Sequence, residues 1–291
     1  MDRLNYTETP IEEIHDSLLD SMGVRLLVKR EDLNHPAVSG NKWWKLKYNL
    51  VEARKLGKKK LLTFGGAYSN HIYATAAAAK AVGMECVGII RGGETLPLNS
   101  TLTFAKAQGM HLHYVSRETY RSKTDANFLS DLREKFGDFY LIPEGGTNSL
   151  AINGCEEWGK ILSSIDCNEV FLPVGTGGTM AGLLKGLESS KKITAVAVLK
   201  SGDFLRDEIK LLSGIIHTNW KVLTQYHHGG YAKTTPTLLE FIHSFSRQNK
   251  IPLEPVYSGK MFWALFEEVR KGNFVRGTTL LALHTGGLQT I

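Results

Sequence analysis

Short apolar runs alternate with helical patterns along most of the chain. Runs of roughly four to eight residues, separated by helical crossovers of a dozen or more, are typical of parallel strands with helices on both faces. The sequence therefore predicts an α/β fold of the doubly wound, parallel-sheet type. The predicted strands are residues 60–64, 85–91, 111–115, 139–143, 169–173, 193–200, 222–225 and 279–284.

The composition predicts one compact unit made of two lobes. The chain has 291 residues, 42% of them hydrophobic and 22% charged, and it contains no repeat or Pro/Gly/Ser-rich linker. We expect both parts of the chain, 1–43 and 156–291, to form a large domain, with a smaller domain over 44–155. A cleft between the two lobes is the expected place for a ligand.

Charge, cysteine content and hydropathy exclude several classes of protein. The net charge is +6, but the lysines are dispersed and the densest run, 58–60, fits a solvated turn, so we expect no nucleic-acid partner. The three cysteines have no metal-binding spacing, and we expect reduced core residues, no disulfide and no metal. No membrane span is predicted, and residues 1–13 do not resemble a secretory signal, which predicts a cytoplasmic protein.

Lys42 is the first chemically informative residue. It lies near the start of a helix predicted over 41–57, where Ser39 or Asn41 can cap the first turn and Gly57 suits the left-handed position at the end. Because the positive end of a helix dipole disfavours a second cation, we expect a lowered pKa for Lys42 and a nucleophilic amine.

A glycine-rich loop far downstream offers a phosphate site. The loop Gly175-Thr176-Gly177-Gly178-Thr179 lies between a predicted strand and a helix predicted over 180–187, so free backbone amides face outward at the helix start. Met180 replaces the third glycine of the dinucleotide pattern and the loop lacks a P-loop ending, which favours a single phosphate. A loop without a ligand is the alternative if this segment is considered alone. With Lys42, however, it indicates pyridoxal phosphate, an aldehyde that needs an amine and an anion site.

A second glycine turn, residues 65–71, follows the first predicted strand and precedes an alanine-rich helix over 74–81. Its amides can hold a substrate carboxylate, with the hydroxyl of Ser69 and the amide of Asn70 beside it. Ordinary helix capping by these two residues is an equal alternative. The turn 145–148 repeats this arrangement, and we assign it a supporting role.

With these motifs the chain resembles the 1-aminocyclopropane-1-carboxylate (ACC) deaminase and D-cysteine desulfhydrase family of the tryptophan-synthase-β-like, fold type II pyridoxal-phosphate enzymes. The resemblance extends over nearly the whole chain, and it implies a cofactor in the cleft and a homodimer. It is carried by Arg30-Glu31-Asp32, Gly40-Asn41-Lys42, Ser69-Asn70-His71, Glu144-Gly145-Gly146-Thr147-Asn148, the loop from Gly175, Gly229-Gly230-Tyr231, Val256-Tyr257-Ser258-Gly259-Lys260 and His284-Thr285-Gly286-Gly287.

The resemblance assigns roles to individual residues. Lys42 forms the Schiff base with the cofactor, Asn70 lies near the ring oxygen and Ser258 lies at the pyridine nitrogen. The candidate catalytic residues are Lys42, Ser69, Tyr231 and Tyr257. The candidate cofactor-binding residues are Lys42, Lys45, Asn70, Gly175, Thr176, Gly177, Gly178, Thr179 and Ser258. The candidate substrate-binding residues are Ser69, Asn70, His71, Tyr231, Tyr257 and Thr285.

Two positions help to choose between branches of the family. Members that open the cyclopropane ring typically carry Glu in place of Ser258 and Leu in place of Thr285. A serine hydroxyl favours protonation of the pyridine nitrogen less than a carboxylate does, and the weaker electron sink suits β-elimination. Thr285 can hydrogen-bond to a polar substrate, where leucine offers only apolar contact.

The sequence thus favours a lyase that eliminates the β-substituent of a small amino acid, with D-cysteine as the preferred substrate. Lys42 would act as the base for the α-proton, with Ser69 and Tyr257 assisting proton transfer. ACC deaminase is the nearest alternative, followed by serine dehydratase or an amino-acid racemase on the same scaffold. A non-catalytic protein that binds pyridoxal phosphate or another small molecule is the alternative from a different class.

Overall fold

A computed structural model describes residues 4–290 of the chain. In this part of the chain the strands are β1 Ile11–Ile14, β2 Arg25–Lys29, β3 Lys60–Gly66, β4 Glu85–Arg91, β5 Met110–Val115, β6 Tyr140–Ile142, β7 Glu169–Val174, β8 Lys192–Ala197, β9 Trp220–Leu223 and β10 Thr279–Leu283. The α-helices are α1 Ser17–Met22, α2 Asn41–Lys55, α3 Asn70–Val82, α4 Ser100–Ala107, α5 Ala126–Phe136, α6 Ser149–Leu162, α7 Gly178–Gly186, α8 Leu205–Ser213, α9 Pro236–Asn249 and α10 Ser258–Arg270.

The strands form two sheets, and the predicted α/β fold with parallel strands is confirmed. The larger sheet has the order β1-β2-β10-β7-β8-β9, and the smaller has the order β5-β4-β3-β6. All neighbours are parallel except β1, which pairs antiparallel with β2. All strands of the smaller sheet fall within 44–155, although the domain limits themselves stay a prediction.

The eight predicted strands are present, β4 with its predicted bounds and the others with shifted ends, but β1 and β2 were not predicted. β1 reads Ile-Glu-Glu-Ile, which has neither the alternation of a half-buried strand nor an apolar run. It becomes a strand because it pairs with β2, in a register that sets Ile11 opposite Lys29. β2 contains a buried apolar run between two basic residues, and it lies between β10 and the edge strand β1 of the larger sheet.

The start of α2 differs from the prediction. The cap position is Gly40, with a φ of 67°, and no side chain caps the helix, so capping by Ser39 or Asn41 was wrong. A Cβ on Gly40 would lie 1.8 Å from the carbonyl oxygen of Thr285, and only glycine permits this approach. The predicted left-handed conformation of Gly57 is confirmed by its φ of 68°.

A buried group of charged residues fixes the segment before α2. We call Lys29, Arg30, Glu31 and Asp32 the Arg30 cluster. Glu31 is fully buried and accepts hydrogen bonds from four side chains, at 2.9 Å each: Tyr6, Thr9, Asn34 and Trp44. Arg30 binds both carboxylate oxygens of Asp32, at 2.9 and 2.8 Å.

Asn34 links Glu31 to the start of α2, the helix that bears Lys42. Its side-chain amide donates to the carbonyl oxygen of Gly40 at 3.0 Å, and its oxygen accepts from the Gly40 amide at 2.9 Å. The start of α2 is therefore positioned by a satisfied polar network rather than by a side-chain cap.

Close helix contacts hold α2 against the core. The rings of Trp44 and Trp158 are stacked with centroids 6.0 Å apart, and a Cβ on Gly154 would lie 2.0 Å from the carbonyl oxygen of Trp44. The cysteines, Cys86, Cys155 and Cys167, are free and buried, as predicted. Within residues 4–290, no helix is both long and apolar enough to cross a membrane.

Candidate active site

A cavity of about 530 Å³ lies where the carboxyl ends of strands from both sheets meet. The segments that follow β3, β6, β7 and β10 all contribute to its wall. Most of the predicted site residues line it: Lys42, Lys45, Ser69, Asn70, His71, Gly175, Thr176, Gly177, Thr179, Tyr231, Tyr257 and Thr285. Gly178 and Ser258 do not line it.

Lys42 lies on the first turn of α2 and faces the cavity. Its Nζ donates to Oδ1 of Asn41 at 3.0 Å. Burial, and secondly the charge of Lys45, lower the pKa of Lys42 from 10.5 to about 7. The predicted lowering is confirmed in direction, but its principal cause is desolvation and not the helix end. A large fraction of this amine is therefore neutral near pH 7.

Lys45, one turn further along α2, binds the turn after β6. Its Nζ donates to the carbonyl oxygen of Gly145 at 2.5 Å and to the hydroxyl of Thr147 at 2.9 Å. The Thr147 hydroxyl lies 2.8 Å from that of Thr176 in the glycine-rich loop. Burial lowers the pKa of Lys45 to about 8. The turn that was given a supporting role is thus part of the lysine site itself.

The glycine-rich loop opens α7 as predicted. Gly177 occupies the cap position with a φ of 76°, and because glycine has no side chain, no side-chain cap binds the first amides of the helix. Nδ2 of Asn41 donates to the hydroxyl of Thr179 at 2.9 Å, which ties the loop to the start of α2. Gly178 lies outside the cavity wall, and a Cβ there would lie 2.7 Å from the side chain of Thr147. Glycine at position 178 therefore permits the close contact with Thr147.

The second glycine turn brings Ser69, Asn70 and His71 to the cavity. Ser69 caps α3, and its hydroxyl accepts from the amide of Ile72 at 3.3 Å, so the capping alternative holds for this residue. Oδ1 of Asn70 accepts from the side-chain amide of Gln289 at 2.5 Å.

His71 is buried and neutral. Its Nε2 lies 2.8 Å from the hydroxyl of Thr63, which itself donates to the carbonyl oxygen of Ile142. The Thr63 oxygen must therefore accept, and we assign the proton to Nε2. Burial, with the nearby charges of Lys42 and Lys45, holds the pKa of His71 well below its usual value.

Tyr231 and Tyr257 form an edge-to-face pair in the cavity wall, with ring centroids 6.0 Å apart and hydroxyls that share a hydrogen bond. Burial raises the pKa of both phenols, and the charge of Glu254 adds to the effect. Both hydroxyls therefore keep their protons at neutral pH.

Ser258 lies behind the wall, where it interacts with a carboxyl group that the sequence analysis missed. Glu254 is fully buried and accepts from the amides of Val256, Tyr257 and Ser258, at 2.7, 2.8 and 2.6 Å. The Ser258 hydroxyl lies 3.2 Å from Oε1 of Glu254. Burial raises the pKa of Glu254, although these hydrogen bonds oppose the rise.

Several further residues of the cavity wall were also missed: Asn41, Arg91, Lys123, Glu144 and Glu208. Arg91 ends β4, and Glu144 lies two residues after the end of β6, so both stand where ligands bind in parallel sheets. Their position at a strand end was the available signal. Which of them face one cavity depends on how the two sheets are placed, which no local pattern encodes.

The lysine end of the cavity fits pyridoxal phosphate. Among residues 4–290, neither Lys42 nor Lys45 forms an ion pair with a carboxylate, although both are withdrawn from solvent. Amines this far withdrawn from solvent and without an ion-pair partner are costly to protonate, and a phosphate at the adjoining amides of α7 would supply an anion for them. Lys42, with its lowered pKa, is the amine suited to hold an aldehyde. The same part of the chain contains no cluster of His, Cys, Asp or Glu that could hold a metal ion.

Comparison with known proteins agrees with this site. The family model described as "Pyridoxal-phosphate dependent enzyme" matches residues 3–286. A Thermotoga maritima protein named "Putative 1-aminocyclopropane-1-carboxylate deaminase" is 33% identical, over 98% of this chain and 95% of its own length. An Arabidopsis thaliana protein named "Bifunctional D-cysteine desulfhydrase/1-aminocyclopropane-1-carboxylate deaminase, mitochondrial" is 31% identical, over 91% of this chain and 73% of its own length.

A crystal structure described as that of "the ACC deaminase homologue" superimposes with a TM-score of 0.83 at 28% identity, over 99% of this chain and 91% of that chain. The family match and the structural superposition therefore cover almost the same residues of this chain. This chain belongs to the family of pyridoxal-phosphate-dependent enzymes, and pyridoxal phosphate is its cofactor.

Proposed function

We propose that this enzyme is a lyase that removes the β-substituent of a small amino acid, with D-cysteine as the preferred substrate. The overall reaction consumes D-cysteine and water and releases pyruvate, ammonia and hydrogen sulfide. The observation that carries the proposal is Lys42, a partly neutral amine that faces a cavity lined by two protonated tyrosines. The name of the Arabidopsis relative supports the same chemistry.

When bound, pyridoxal phosphate acidifies the α-proton of an amino acid by drawing electrons into its ring. Lys42 supplies the base. Because burial and Lys45 lower its pKa to about 7, its Nζ can accept a proton at neutral pH and return it later. Asn41 and the start of α2 hold this amine in place, which gives the proton transfer a high effective concentration.

The start of α3 is suited to bind the substrate carboxylate. Ser69 and Asn70 line the cavity at a helix end whose backbone amides favour an anion. In another part of the wall, Tyr257 and Tyr231 can donate protons because they keep them at neutral pH, as their raised pKa values indicate. We assign Tyr257 to the departing β-substituent and Tyr231 to the support of Tyr257 through their shared hydrogen bond.

The preference for D-cysteine over ACC depends on two positions. Thr285 lines the cavity and offers a hydroxyl to a polar substrate. Ser258 is the proposed neutral partner of the pyridine nitrogen, and its hydroxyl would have to exchange its present bond to Glu254 for one to the cofactor. A neutral hydroxyl there supports a weaker electron sink, which suffices for loss of a thiolate.

Product analysis tests the proposal directly. Purified enzyme saturated with pyridoxal phosphate is given D-cysteine, L-cysteine or ACC in separate reactions, and the keto acid is identified by mass spectrometry. We expect pyruvate from D-cysteine and none from a Lys42→Ala variant. Absence of any keto acid from D-cysteine would refute the substrate assignment.

ACC deaminase is the second candidate, because the names of the Thermotoga and Arabidopsis relatives both include it. Release of 2-oxobutyrate from ACC would favour it and would mean that Ser258 and Thr285 do not set the specificity. We further propose a cytoplasmic homodimer, the assembly that the family resemblance implies, with free cysteines that fit a reducing compartment. Light scattering after size exclusion tests the dimer.

A further inference from the structure

Arg91 lies in the cavity wall, and the reaction proposed above assigns no role to it. It is the last residue of β4 and lies opposite Gly66, the last residue of β3. Both residues line the cavity, and a Cβ on Gly66 would lie 3.5 Å from Nη2 of Arg91. The guanidinium therefore lies across the end of β3, close to the turn that carries Ser69.

Two other charged residues of the cavity wall, Glu144 and Lys123, already pair with each other. The hydroxyl of Tyr120 donates to one oxygen of Glu144 at 2.9 Å, and Nζ of Lys123 lies 3.4 Å from the other oxygen. The guanidinium carbon of Arg91 lies 5.6 Å from the centre of the Tyr120 ring. Within residues 4–290, Arg91 forms no ion pair. Arg91 is exposed at the mouth of the cavity, and it is thus a positive group in this part of the wall that has no carboxylate partner among the described residues.

The remaining anions at the site have other partners. The loop of Gly177, with Lys42 and Lys45, is assigned to the cofactor phosphate. The start of α3 is assigned to the substrate α-carboxylate. Glu208, the other carboxylate in the wall, lies beside Gly177, where a Cβ would be 3.9 Å from its Cγ. Arg91 is left facing the cavity near Tyr231, on whose hydroxyl its charge acts.

We propose that Arg91 binds the β-substituent of the substrate as an anion, so that the enzyme selects amino acids whose β-substituent is negatively charged. A thiolate or an oxyanion meets this requirement, whereas a hydroxyl does not. The proposal rests on the elimination reaction proposed above and specifies its substrate class. In that reaction the bond from Cβ to the substituent breaks with its electron pair on the substituent, and Tyr257 donates a proton to it, so that a thiolate leaves as hydrosulfide. Arg91 pairs with the charge that the substituent carries before the bond breaks.

Two substrates of similar size separate this role from others. The Arg91→Gln variant is compared with the unaltered enzyme on D-cysteine and on β-chloro-D-alanine at pH 8.5, where the thiol is about half ionised. We expect kcat/KM for D-cysteine to fall about tenfold, since a charge-assisted hydrogen bond is lost, while that for β-chloro-D-alanine changes less than about twofold. Arg91→Lys should restore part of the loss.

Arg121→Gln is the matched control, because this exposed arginine lies outside the cavity wall and should leave both rates unchanged. An equal loss on both substrates would overturn the proposal, since it would place Arg91 on the α-carboxylate or in a structural role. No loss on either substrate would also overturn the proposal, because it would mean that Arg91 contacts solvent and not the substrate. Circular dichroism confirms that each variant is folded.

A binding measurement tests Arg91 without any turnover. Succinate and butyrate have the same chain length, neither has an amine, and only succinate has a second carboxylate. We expect calorimetric titration of the cofactor-loaded enzyme to give tighter binding of succinate, and Arg91→Gln to abolish this difference. If no substrate is eliminated but the difference is present, the proposed reaction is wrong and the anion site stands. Equal binding of the two acids by the unaltered enzyme would refute the anion site.

Discussion

The Arg30 cluster and the Lys42–Lys45 pair are close in sequence and both withdrawn from solvent, yet they differ in how their charge is balanced. In the Arg30 cluster, Arg30 holds Asp32 with two hydrogen bonds, and Glu31 is saturated by four donors. Lys42 and Lys45 bind only neutral oxygens of Asn41, Gly145 and Thr147. The difference separates a group that completes the fold from one that awaits a charged ligand.

The largest effect is expected from removal of the reactive amine of the unbalanced pair. Lys42→Ala should lower turnover of D-cysteine by about a thousandfold, because the base for the α-proton is lost. The visible absorbance of the bound cofactor should shift as well, since no amine at this position holds the aldehyde. Lys55→Ala, at an exposed position of the same helix, is the control. Unchanged absorbance and turnover would show that another lysine holds the cofactor.

Breaking the balanced cluster should lower the stability of the fold. Glu31→Gln leaves buried donors without their carboxylate, and we expect the free energy of unfolding to fall by about 3 kcal/mol. Urea denaturation measures this loss. Glu12→Gln is the matched control, because Glu12 also contacts the Arg30 cluster, through an ion pair with Arg30, but from a partly exposed position. A Glu31→Gln variant of normal stability would mean that the cluster does not anchor the fold.

Lys45→Met sharpens the comparison, since it removes a cation that has no counter-charge. We expect affinity for pyridoxal phosphate to fall about thirtyfold, while affinity for pyridoxal, which lacks the phosphate, changes little. Fluorescence titration with both compounds gives the two values. A similar loss for pyridoxal would contradict a role at the phosphate.

The smallest effect concerns pH and the protein without its cofactor. The pKa values of Lys42 and Lys45 fall from 10.5 to about 7 and about 8 on folding. Between these values and 10.5 the unfolded chain binds more protons than the folded one, so stability rises with pH.

From pH 7 to pH 9 we expect the free energy of unfolding of the cofactor-free protein to gain about 1 to 2 kcal/mol from these lysines, after allowance for solvent screening. Urea denaturation at both pH values measures it. The double variant Lys42→Met and Lys45→Met should show a flatter dependence, whereas Lys55→Met should not. An unaltered slope in the double variant would mean that both amines stay solvated.

The sequence alone predicted the elements of the site better than their relations. Lys42 and the loop at Gly177 were identified because each has a local signature, an amine near a helix start and glycines after a strand. The partnership of Lys45 with the turn at Gly145 was missed, since it joins residues far apart in the chain. Arg91 was missed for the same reason.

The fold shows the same division. Apolar runs located most strands of both sheets, whereas β1 depends on its pairing with β2 and has no pattern of its own. Ser258 illustrates the limit of transferred roles, because its burial against Glu254 depends on the packing of α10 and not on its own residue type.

The contact of Gly40 with the carbonyl group of Thr285 joins an early part of the chain to a late one. β2, which leads to this segment, pairs with β1 and with β10. During synthesis Lys42 is added to the chain long before β10. Until then the part of the cavity wall that follows β10 is absent. We therefore expect pyridoxal phosphate to bind only after translation has passed Thr285.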